Sequence, residues 1–211
     1  MTEAPASRPR APLGQAPRLV GDFVVLRPLA VADAEITHRW RHAAKALHLN
    51  RSAATVEDQA RWIAGRPANE FNYIIEMADG APIGMLSLVT IDLANRRAES
   101  ARFLIGEEEA VRGAPAAVEA MKLLYELAFD RLGLERVYGV IEERNHRMIK
   151  WQKYLGMVEE GRLREHMRMD GEFVDVVSLS LLADEYRATA LPRMRGLMSL
   201  GQPRAGGASA P

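Results

Sequence analysis

Three strand-like runs in succession, with no helix between them, constrain the fold of this chain more than any other feature. The segment FNYIIEMADGAPIGMLSLVTI (71–91) holds the pair Asp79-Gly80 between two β-branched runs. An Asp-Gly pair in this position favours the tight turn of a β-hairpin. A third strand-like run, RAESARFLIG (97–106), follows almost directly. This order departs from the regular strand–helix alternation of a doubly wound parallel fold.

The remaining segments alternate between the two periodicities. The predicted order is β-α-α-β-β-β-α-β-α-β-β, which indicates an α/β (α+β) fold with a mixed, mostly antiparallel sheet and helices on both faces. A second Asp-Gly pair, Asp170-Gly171, predicts another hairpin. The other predicted elements are a strand over 23–29, helices over 31–43 and 55–65, a long helix over 115–131, a strand over 135–143, a helix over 145–157 and the second hairpin over 162–182.

Composition divides the chain into three parts. Its 211 residues suffice for one domain with a sizeable core. Residues 1–18 and 187–211 are rich in Pro, Ala, Gly and Arg and carry a net positive charge. We therefore expect a flexible N-terminal tail over 1–18, one folded domain over 19–186 and a flexible basic C-terminal tail over 187–211. Because the chain is neutral overall, the middle part is acidic, which argues against a nucleic-acid-binding domain.

Several kinds of site are excluded or not indicated. The chain has no cysteine, so it cannot form disulfides, thiolate metal sites or a cysteine nucleophile. Its histidines and carboxylates show no metal-ligand spacing, and we predict no metal. No apolar run approaches the roughly 20 residues that span a bilayer, and the N-terminus lacks the apolar segment of a secretory signal. These absences predict a cytoplasmic protein that binds no membrane.

A glycine-bearing loop leads into the long central helix. The segment EEEAVRGAPAAVEAMKLLYELAFD (107–130) presents the free N–H groups of a helix N-terminus, which bind phosphates readily. Every helix has such an end, however, and a proline at the first helical position is common. The loop alone therefore leaves two interpretations open: a cofactor site, or the plain start of a helix.

The loop and the segments around it resemble the GNAT superfamily of acetyl-CoA-dependent N-acetyltransferases over roughly residues 20–186. The family's loop reads Arg/Gln-x-x-Gly-x-Gly/Ala, which Arg112 and Ala117 match, whereas Pro115 stands in place of a glycine. Asn145 and the run Leu155-Gly156-Met157 resemble the family's next helix, with Met in place of Phe. Among the subgroups, the chain looks most like the ribosomal-protein-alanine acetyltransferases and also resembles acetyltransferases that act on amino sugars.

The resemblance implies acetyl-CoA as cosubstrate and indicates where it would bind. The strand before the loop would hold the pantetheine arm, and its backbone N–H groups would polarise the thioester carbonyl. Pro115 removes one N–H that could face the pyrophosphate. The expected cofactor-binding residues are Phe103, Leu104 and Ile105 on that strand, Arg112, Gly113, Ala114, Ala116 and Ala117 in the loop and helix start, and Asn145, which could instead only cap its own helix.

Two residues are the candidates for catalysis. Glu99 lies on the same strand, where many relatives carry an acid, and could serve as general base directly or through a water. It could equally be an edge carboxylate paired with Arg96, Arg97 or Arg102. Gln152 stands where many relatives have a tyrosine that protonates the leaving thiolate. Glutamine cannot supply a proton, although its amide can donate a hydrogen bond. Tyr154 should face away from the site, by helical geometry.

The first helix would contribute to the acceptor pocket. Relatives place acceptor-binding residues there, and Trp40 and Arg41 are the candidates, although an aromatic at a helical position is more often part of the core. Arg41 could hold a phosphate or carboxylate of the acceptor. His38, His42 and His48 could also act as bases, because histidine titrates near neutrality.

The resulting hypothesis is an N-acetyltransferase that moves an acetyl group from acetyl-CoA to a primary amine by direct attack in a ternary complex. The acceptor could be a small molecule, an amino sugar or a protein N-terminus, and the protein a monomer or homodimer. The alternative is a non-catalytic acyl-CoA-binding or interaction module on a degenerate GNAT fold, because Pro115 and Gln152 depart from the family pattern.

Overall fold

In a computed structural model of the chain, which describes residues 13–49 and 53–201, eight strands form a single sheet. The strands are β1 Leu19–Val20, β2 Val24–Pro28, β3 Phe71–Met77, β4 Pro82–Asp92, β5 Arg97–Ile105, β6 Arg136–Glu142, β7 Val158–Met169 and β8 Glu172–Leu182. Their order across the sheet is β1-β2-β3-β4-β5-β6-β8-β7. All neighbours are antiparallel except β5 and β6, which confirms the expected mixed, mostly antiparallel sheet.

Helices cover both faces of this sheet, as expected. They are α1 Ala34–His42, α2 Val56–Ala64, α3 Ala116–Glu126 with a π-helical turn Leu127–Arg131, α4 His146–Tyr154, α5 Ala183–Glu185 with a π-helical turn Tyr186–Ala190, and α6 Leu191–Gly201; short 3₁₀ turns cover Val31–Asp33, Ala44–Ala46 and Glu109–Val111. α1 and α2 pack on one face, around Ile74, Met85 and Leu104, and we call this the α1/α2 face. α3 and the C-terminal helices enclose a larger core on the other face, the α3 face.

The C-terminal expectation was wrong in part. Residues 187–201 were expected to belong to a flexible tail, yet they are helical. Ala190 and Met194 are fully buried, and Met198 is nearly so. These residues recur every four positions and therefore form one apolar helical face, while the arginines between them point outward and dominate the composition. Residues 202–211 and 1–12 lie outside the described residues, and Leu13 and Ala16 pack against the core.

The sheet opens between β5 and β6. Their parallel ladder joins only three residue pairs, from Arg97 and Arg136 to Glu99 and Tyr138. On its other side β5 stays paired with β4 as far as Ile105, but an extra residue is inserted near Arg102, whose φ is +57°. Such a β-bulge bends a strand and redirects its backbone groups. The far half of β5 therefore has an edge that faces a gap in the sheet.

A buried carboxylate fixes the start of α3 against the first strands. Glu119, in the first turn of α3, is 1% exposed. It accepts hydrogen bonds from the backbone N–H groups of Asp22 at 2.8 Å, Phe23 at 2.6 Å and Val24 at 2.7 Å. Hydrogen bonds to an ionised acceptor are stronger than neutral ones, and an acid in the first turn also suits the helix dipole. This contact positions the N-terminus of α3 relative to the sheet.

We predict that Glu119→Gln lowers the free energy of unfolding by about 2–3 kcal/mol, because the amide NH₂ would face a buried N–H donor and leave it unsatisfied. Urea denaturation followed by circular dichroism would measure this loss. The matched control is Glu126→Gln on the same helix, which breaks only the partly exposed i,i+4 pair with Lys122 and should cost about 0.5 kcal/mol or less. Equal losses in the two variants would contradict the prediction.

Candidate active site

The N-terminus of α3 presents several backbone amides in one direction. Gly113 has φ +78°, a backbone conformation that favours glycine. The sequence predicted a helix that begins at Pro115, but the helix begins at Ala116 and Pro115 is its N-cap residue. The first α-helical hydrogen bond runs from the N–H of Glu119 to the carbonyl of Pro115 at 3.0 Å. The amides of Ala116, Ala117 and Val118 therefore have no acceptor within the helix. Because Pro115 precedes the helix, its missing N–H does not interrupt these first-turn donors, which suit an anion.

The loop before α3 uses some of its own donors. The N–H of Ala114 bonds to the carbonyl of Val111 at 3.1 Å, and the N–H of Arg112 bonds to that of Glu109 at 3.3 Å. The guanidinium of Arg112 also contacts the Glu109 carboxylate at 2.8 Å, with both side chains about four-fifths exposed. Of the expected loop donors, Ala114 is thus engaged within the loop, while the Arg112 side chain stands at the surface.

Trp40 lies beneath this loop and not in an open pocket. It is 2% exposed, and a Cβ at Gly106 would come within 2.3 Å of its ring. Its Nε1 donates to Glu107 at 2.8 Å, and Arg39 contacts the same carboxylate at 2.6 Å. The Glu107 carboxylate is thereby held against α1. Trp40 serves the core here: it packs in the same buried cluster as Leu104 of β5 and does not line an open acceptor pocket.

The far half of β5 forms one wall of the gap. Phe103 and Ile105 pack toward the α3 face, and Leu104 packs toward the α1/α2 face. Their backbone therefore runs along the open edge of the strand, beside the bulge at Arg102. An edge of this kind offers N–H and C=O groups to an extended ligand.

Glu99 lies at the closed end of the gap, opposite Tyr138 in the last ladder pair. It is half-buried, and burial raises the pKa of Glu99 above its ordinary value, although the charge of Arg102 acts against this and that of Glu70 adds to it. A carboxyl with a raised pKa is better matched to proton transfer near neutral pH.

The arginines that could have paired with Glu99 bind other acids. Arg96 contacts Glu135, Arg97 contacts Asp92 at 3.6 Å, and Arg102 contacts Glu70 at 2.9 Å. Each of these arginines thus has an acid partner other than Glu99, although the charge of Arg102 still acts on Glu99.

Arginines also line the α1/α2 face close to Glu99. The guanidinium of Arg102 donates to Asn72 at 2.9 Å and lies 5.1 Å from the centre of the Trp62 ring. Arg41 is 6% exposed, and burial together with the positive charge of Arg102 lowers the pKa of Arg41 to about 10. The charge of Arg102 therefore acts on both Arg41 and Glu99.

The start and middle of α4 contact different partners. The side chain of Asn145 caps the helix by accepting from the N–H of Met148 at 3.2 Å. Gln152 is 5% exposed, and its Oε1 accepts from the hydroxyl of Tyr125 at 3.3 Å. Tyr154 is half exposed and lies against Arg193.

Tyr125 was not singled out from the sequence, although in the long helix predicted over 115–131 its spacing of four residues from Met121 places both on one side. Burial raises its pKa well above the ordinary value, so this hydroxyl holds its proton and can orient Gln152.

The three histidines near α1 have different surroundings. His38 and His42 stack on each other with ring centres 4.0 Å apart, and both have substantial exposed surface. His48 instead contacts Glu142 of β6 through Nδ1, while Arg144 contacts the other carboxylate oxygen. Burial raises the pKa of Glu142, but the hydrogen bonds from Arg144 and His48 outweigh it and leave the pKa below its ordinary value.

The described part of the chain offers neither a cluster of metal ligands nor a membrane-spanning helix. No group of three or more His, Cys, Asp or Glu side chains there could hold a metal ion. In the same part of the chain, no helix has the length and apolar character needed to cross a membrane.

Comparisons with known proteins agree with this architecture. Residues 24–158 match the family described as an acetyltransferase (GNAT) domain. The chain is 30% identical over 178 residues to N-acetyltransferase p20 of Bacillus licheniformis, itself uncharacterized, and the match covers 80% of this chain and 97% of p20. A GCN5-related N-acetyltransferase structure from Brucella melitensis superposes with a TM-score of 0.78 at 23% identity, covering 93% of this chain and 92% of that chain, which shows a shared fold.

Two further relatives carry more specific names, and the match covers less than two thirds of each. Spermidine N(1)-acetyltransferase of Escherichia coli K12 is 28% identical over 120 residues, which are 57% of this chain and 62% of that enzyme. YdaF of Bacillus subtilis, whose name assigns it provisionally to the ribosomal N-acetyltransferases, is 32% identical over 108 residues, or 51% of this chain and 57% of YdaF. Because the family match and the p20 match agree with the opened sheet, this chain belongs to the GNAT family of acetyl-CoA-dependent N-acetyltransferases.

Proposed function

We propose that this chain transfers the acetyl group of acetyl-CoA to a primary amine, by direct attack of the amine in a ternary complex. The observation that carries the proposal is the gap between β5 and β6, with Glu99 at its closed end and α3 following the open half of β5 along the chain. A cosubstrate with a pyrophosphate and an extended arm fits a helix N-terminus followed by a free strand edge.

The cosubstrate supplies an activated acyl group, and the side chains around the gap would manage position and protons. We assign the pyrophosphate to the amides of Gly113, Ala116 and Ala117, with Arg112 reaching it from the surface. The backbone of Phe103, Leu104 and Ile105 would hold the pantetheine arm and polarise the carbonyl, in the manner of an oxyanion hole.

Glu99 would act as general base, directly or through a water. The amine nitrogen bonds to the carbonyl carbon, the carbon–sulfur bond breaks, and CoA leaves as a thiolate. A thiol with a pKa of about 8.5 gives a thiolate that is a tolerable leaving group without protonation by an acid. We assign its stabilisation to the amide of Gln152, oriented by Tyr125, and no dedicated tyrosine acid is needed.

The acceptor class stays open among small amines, amino sugars and protein N-termini, and we place the reaction in the cytoplasm. Spermidine and ribosomal proteins are possible acceptors only because they appear in the names of two relatives, each of which this chain matches over less than two thirds of its length. The buried Arg41 and the adjacent Arg102 would suit an acceptor that carries an anionic group as well as an amine.

A non-catalytic acyl-CoA-binding module is the competing function. Gln152, in place of a tyrosine, and the capping role of Asn145 favour it. A thermal shift with acetyl-CoA and with CoA, followed by thiol release across spermidine, glucosamine and an alanine-initiated peptide, separates the two. A shift without thiol release from any amine supports the module, and thiol release with one of them supports the enzyme.

We predict that Glu99→Gln lowers kcat by about 100-fold or more while leaving the Kd for acetyl-CoA unchanged, because the amide cannot accept the proton. A base works deprotonated, so wild-type activity should fall as pH drops through the Glu99 pKa. That pKa is raised, so the loss should begin at a higher pH than for an ordinary glutamate near about 4.3. Thiol-release kinetics against pH would measure both effects.

The control is Glu135→Gln, which removes an exposed carboxylate that pairs with Arg96. It should leave kcat and its pH profile as in the wild type. Full activity in Glu99→Gln would show that this carboxylate is not the base.

We predict that Gly113→Glu weakens CoA binding by tenfold or more, because it adds a negative charge beside the proposed pyrophosphate site; this corresponds to about 1.4 kcal/mol. Pro115→Gly should keep or tighten binding, because it restores an N–H. The matched control is Gly113→Ala, which shares the strain of a side chain at φ +78° but adds no charge, and nothing lies within 4 Å of its Cβ. Isothermal titration with CoA would compare the three variants, and equal weakening by Glu and Ala would point to backbone strain instead.

A further inference from the structure

His48 and Glu142 form a hydrogen-bonded pair on the side of the gap opposite β5. Glu142 ends β6, and His48 belongs to the connection between α1 and α2. Their contact joins that connection to the far wall of the gap through the Nδ1 atom of His48 and a carboxylate oxygen of Glu142. Neither residue has a role in the chemistry assigned above.

The strand register shows where this pair lies along the gap between β5 and β6. Glu99 and Tyr138 are the last paired residues of the parallel ladder. Four residues further along each strand stand Phe103 on β5 and Glu142 on β6, so Glu142 is roughly level with the bulge and the expected polarising amides. Side chains two and four positions apart on a strand share a face, which places Glu142 on the same face as Tyr138. That face carries α1 and α2.

The pair has the geometry of a carboxylate-oriented imidazole. The carboxylate of Glu142 is 2% exposed and is contacted on one oxygen by His48 and on the other by Arg144. A carboxylate on Nδ1 fixes the tautomer and ring of a histidine and leaves Nε2 to exchange a proton. The His48 side chain is one-third exposed, so a proton taken by Nε2 can pass to solvent. The charged groups at the pair are Glu142 and Arg144, and Glu172 of β8 acts on Arg144.

The proposed reaction must dispose of two protons. A primary amine with a pKa near about 10 enters as an ammonium ion at neutral pH and cannot attack until it loses one proton. After attack the nitrogen is again positively charged, and it loses a second proton as the carbon–sulfur bond breaks and the thiolate leaves. One base can serve both steps only if it discards the first proton while the site is occupied.

We propose that His48, oriented by Glu142, removes the first proton from the acceptor ammonium, and that Glu99 takes the second from the tetrahedral adduct. This assignment of the two proton transfers to two different residues rests on the proposed function. The half-buried Glu99 is at the closed end of the gap, whereas His48 stands where an amine entering from the α1/α2 face would pass. The stacked His38 and His42 instead contact backbone carbonyl oxygens, His38 that of Ala54 and His42 that of His38.

The test is the pH dependence of kcat/KM in His48→Gln, with the acceptor that gives the highest thiol release among spermidine, glucosamine and the alanine-initiated peptide. At pH 7 we expect a loss of about 100-fold, the typical worth of a positioned base. The loss should shrink as the pH rises, because a growing fraction of the amine is already deprotonated in solution, and it should vanish as the pH reaches the amine pKa. Glu99→Gln should instead lose activity at every pH. A loss in His48→Gln that is constant with pH would overturn the proposal, because it would indicate a structural role.

Two further measurements distinguish the loss of a base from a structural change in the connection between α1 and α2. In His48→Ala, added imidazole should restore activity at pH 7, and a lack of rescue would count against proton removal at this position. The control, His166→Gln, removes an exposed histidine from β7, at the end of the strand order away from the gap, and should keep the wild-type profile. If the wild type releases no thiol with any of the three amines although CoA binds, the proposed function fails and this proposal fails with it. Release by the wild type with an unchanged His48→Gln profile overturns this proposal alone.

Discussion

The early end of the parallel ladder between β5 and β6 is the constraint on which the rest of the site depends. A parallel pair held by three residue pairs can diverge, because the two strands are stabilised by their other neighbours, β4 and β8. The bulge near Arg102 bends β5 away while it keeps its hydrogen bonds to β4. What would be a defect in a continuous sheet therefore becomes a cleft with backbone donors along one wall.

The cleft is usable only because its surroundings are held in place. Glu119 joins the first turn of α3 to the turn between β1 and β2 through three backbone N–H groups, so the helix N-terminus has a defined position beside the open strand. On the opposite face, Arg102 ties β5 to β3 through Glu70 and Asn72 and supports Trp62 of α2. Fixed donors are worth more to catalysis than flexible ones, because little reorganisation is needed during the reaction.

The fold could be predicted from the sequence largely because its signals are local. The two Asp-Gly turns and the uninterrupted strand runs specify antiparallel pairs, and Thr55 caps α2 through the N–H of Asp58 as its spacing indicates. The site could be predicted from the sequence to a smaller extent. That Arg96, Arg97 and Arg102 each bind another acid, and that His48 meets Glu142 across 94 residues, depends on contacts that no local pattern records. The buried side of α6 was missed because composition counts its arginines, whereas burial depends on the period of Ala190, Met194 and Met198.

The position of β8 has a consequence for where this protein can be divided. The family match ends at residue 158, yet β8 lies between β6 and β7 and pairs with β6 over seven residues. The chain thus reaches the rim of the sheet with β7 and returns to insert β8 beside β6, after which α6 closes the core over α3. A truncation at the homology boundary would remove an interior strand rather than an appendage, and would expose the side of β6 that faces away from the cleft. The cooperative folding unit therefore extends to at least Met198, some forty residues beyond the region by which the family is recognised.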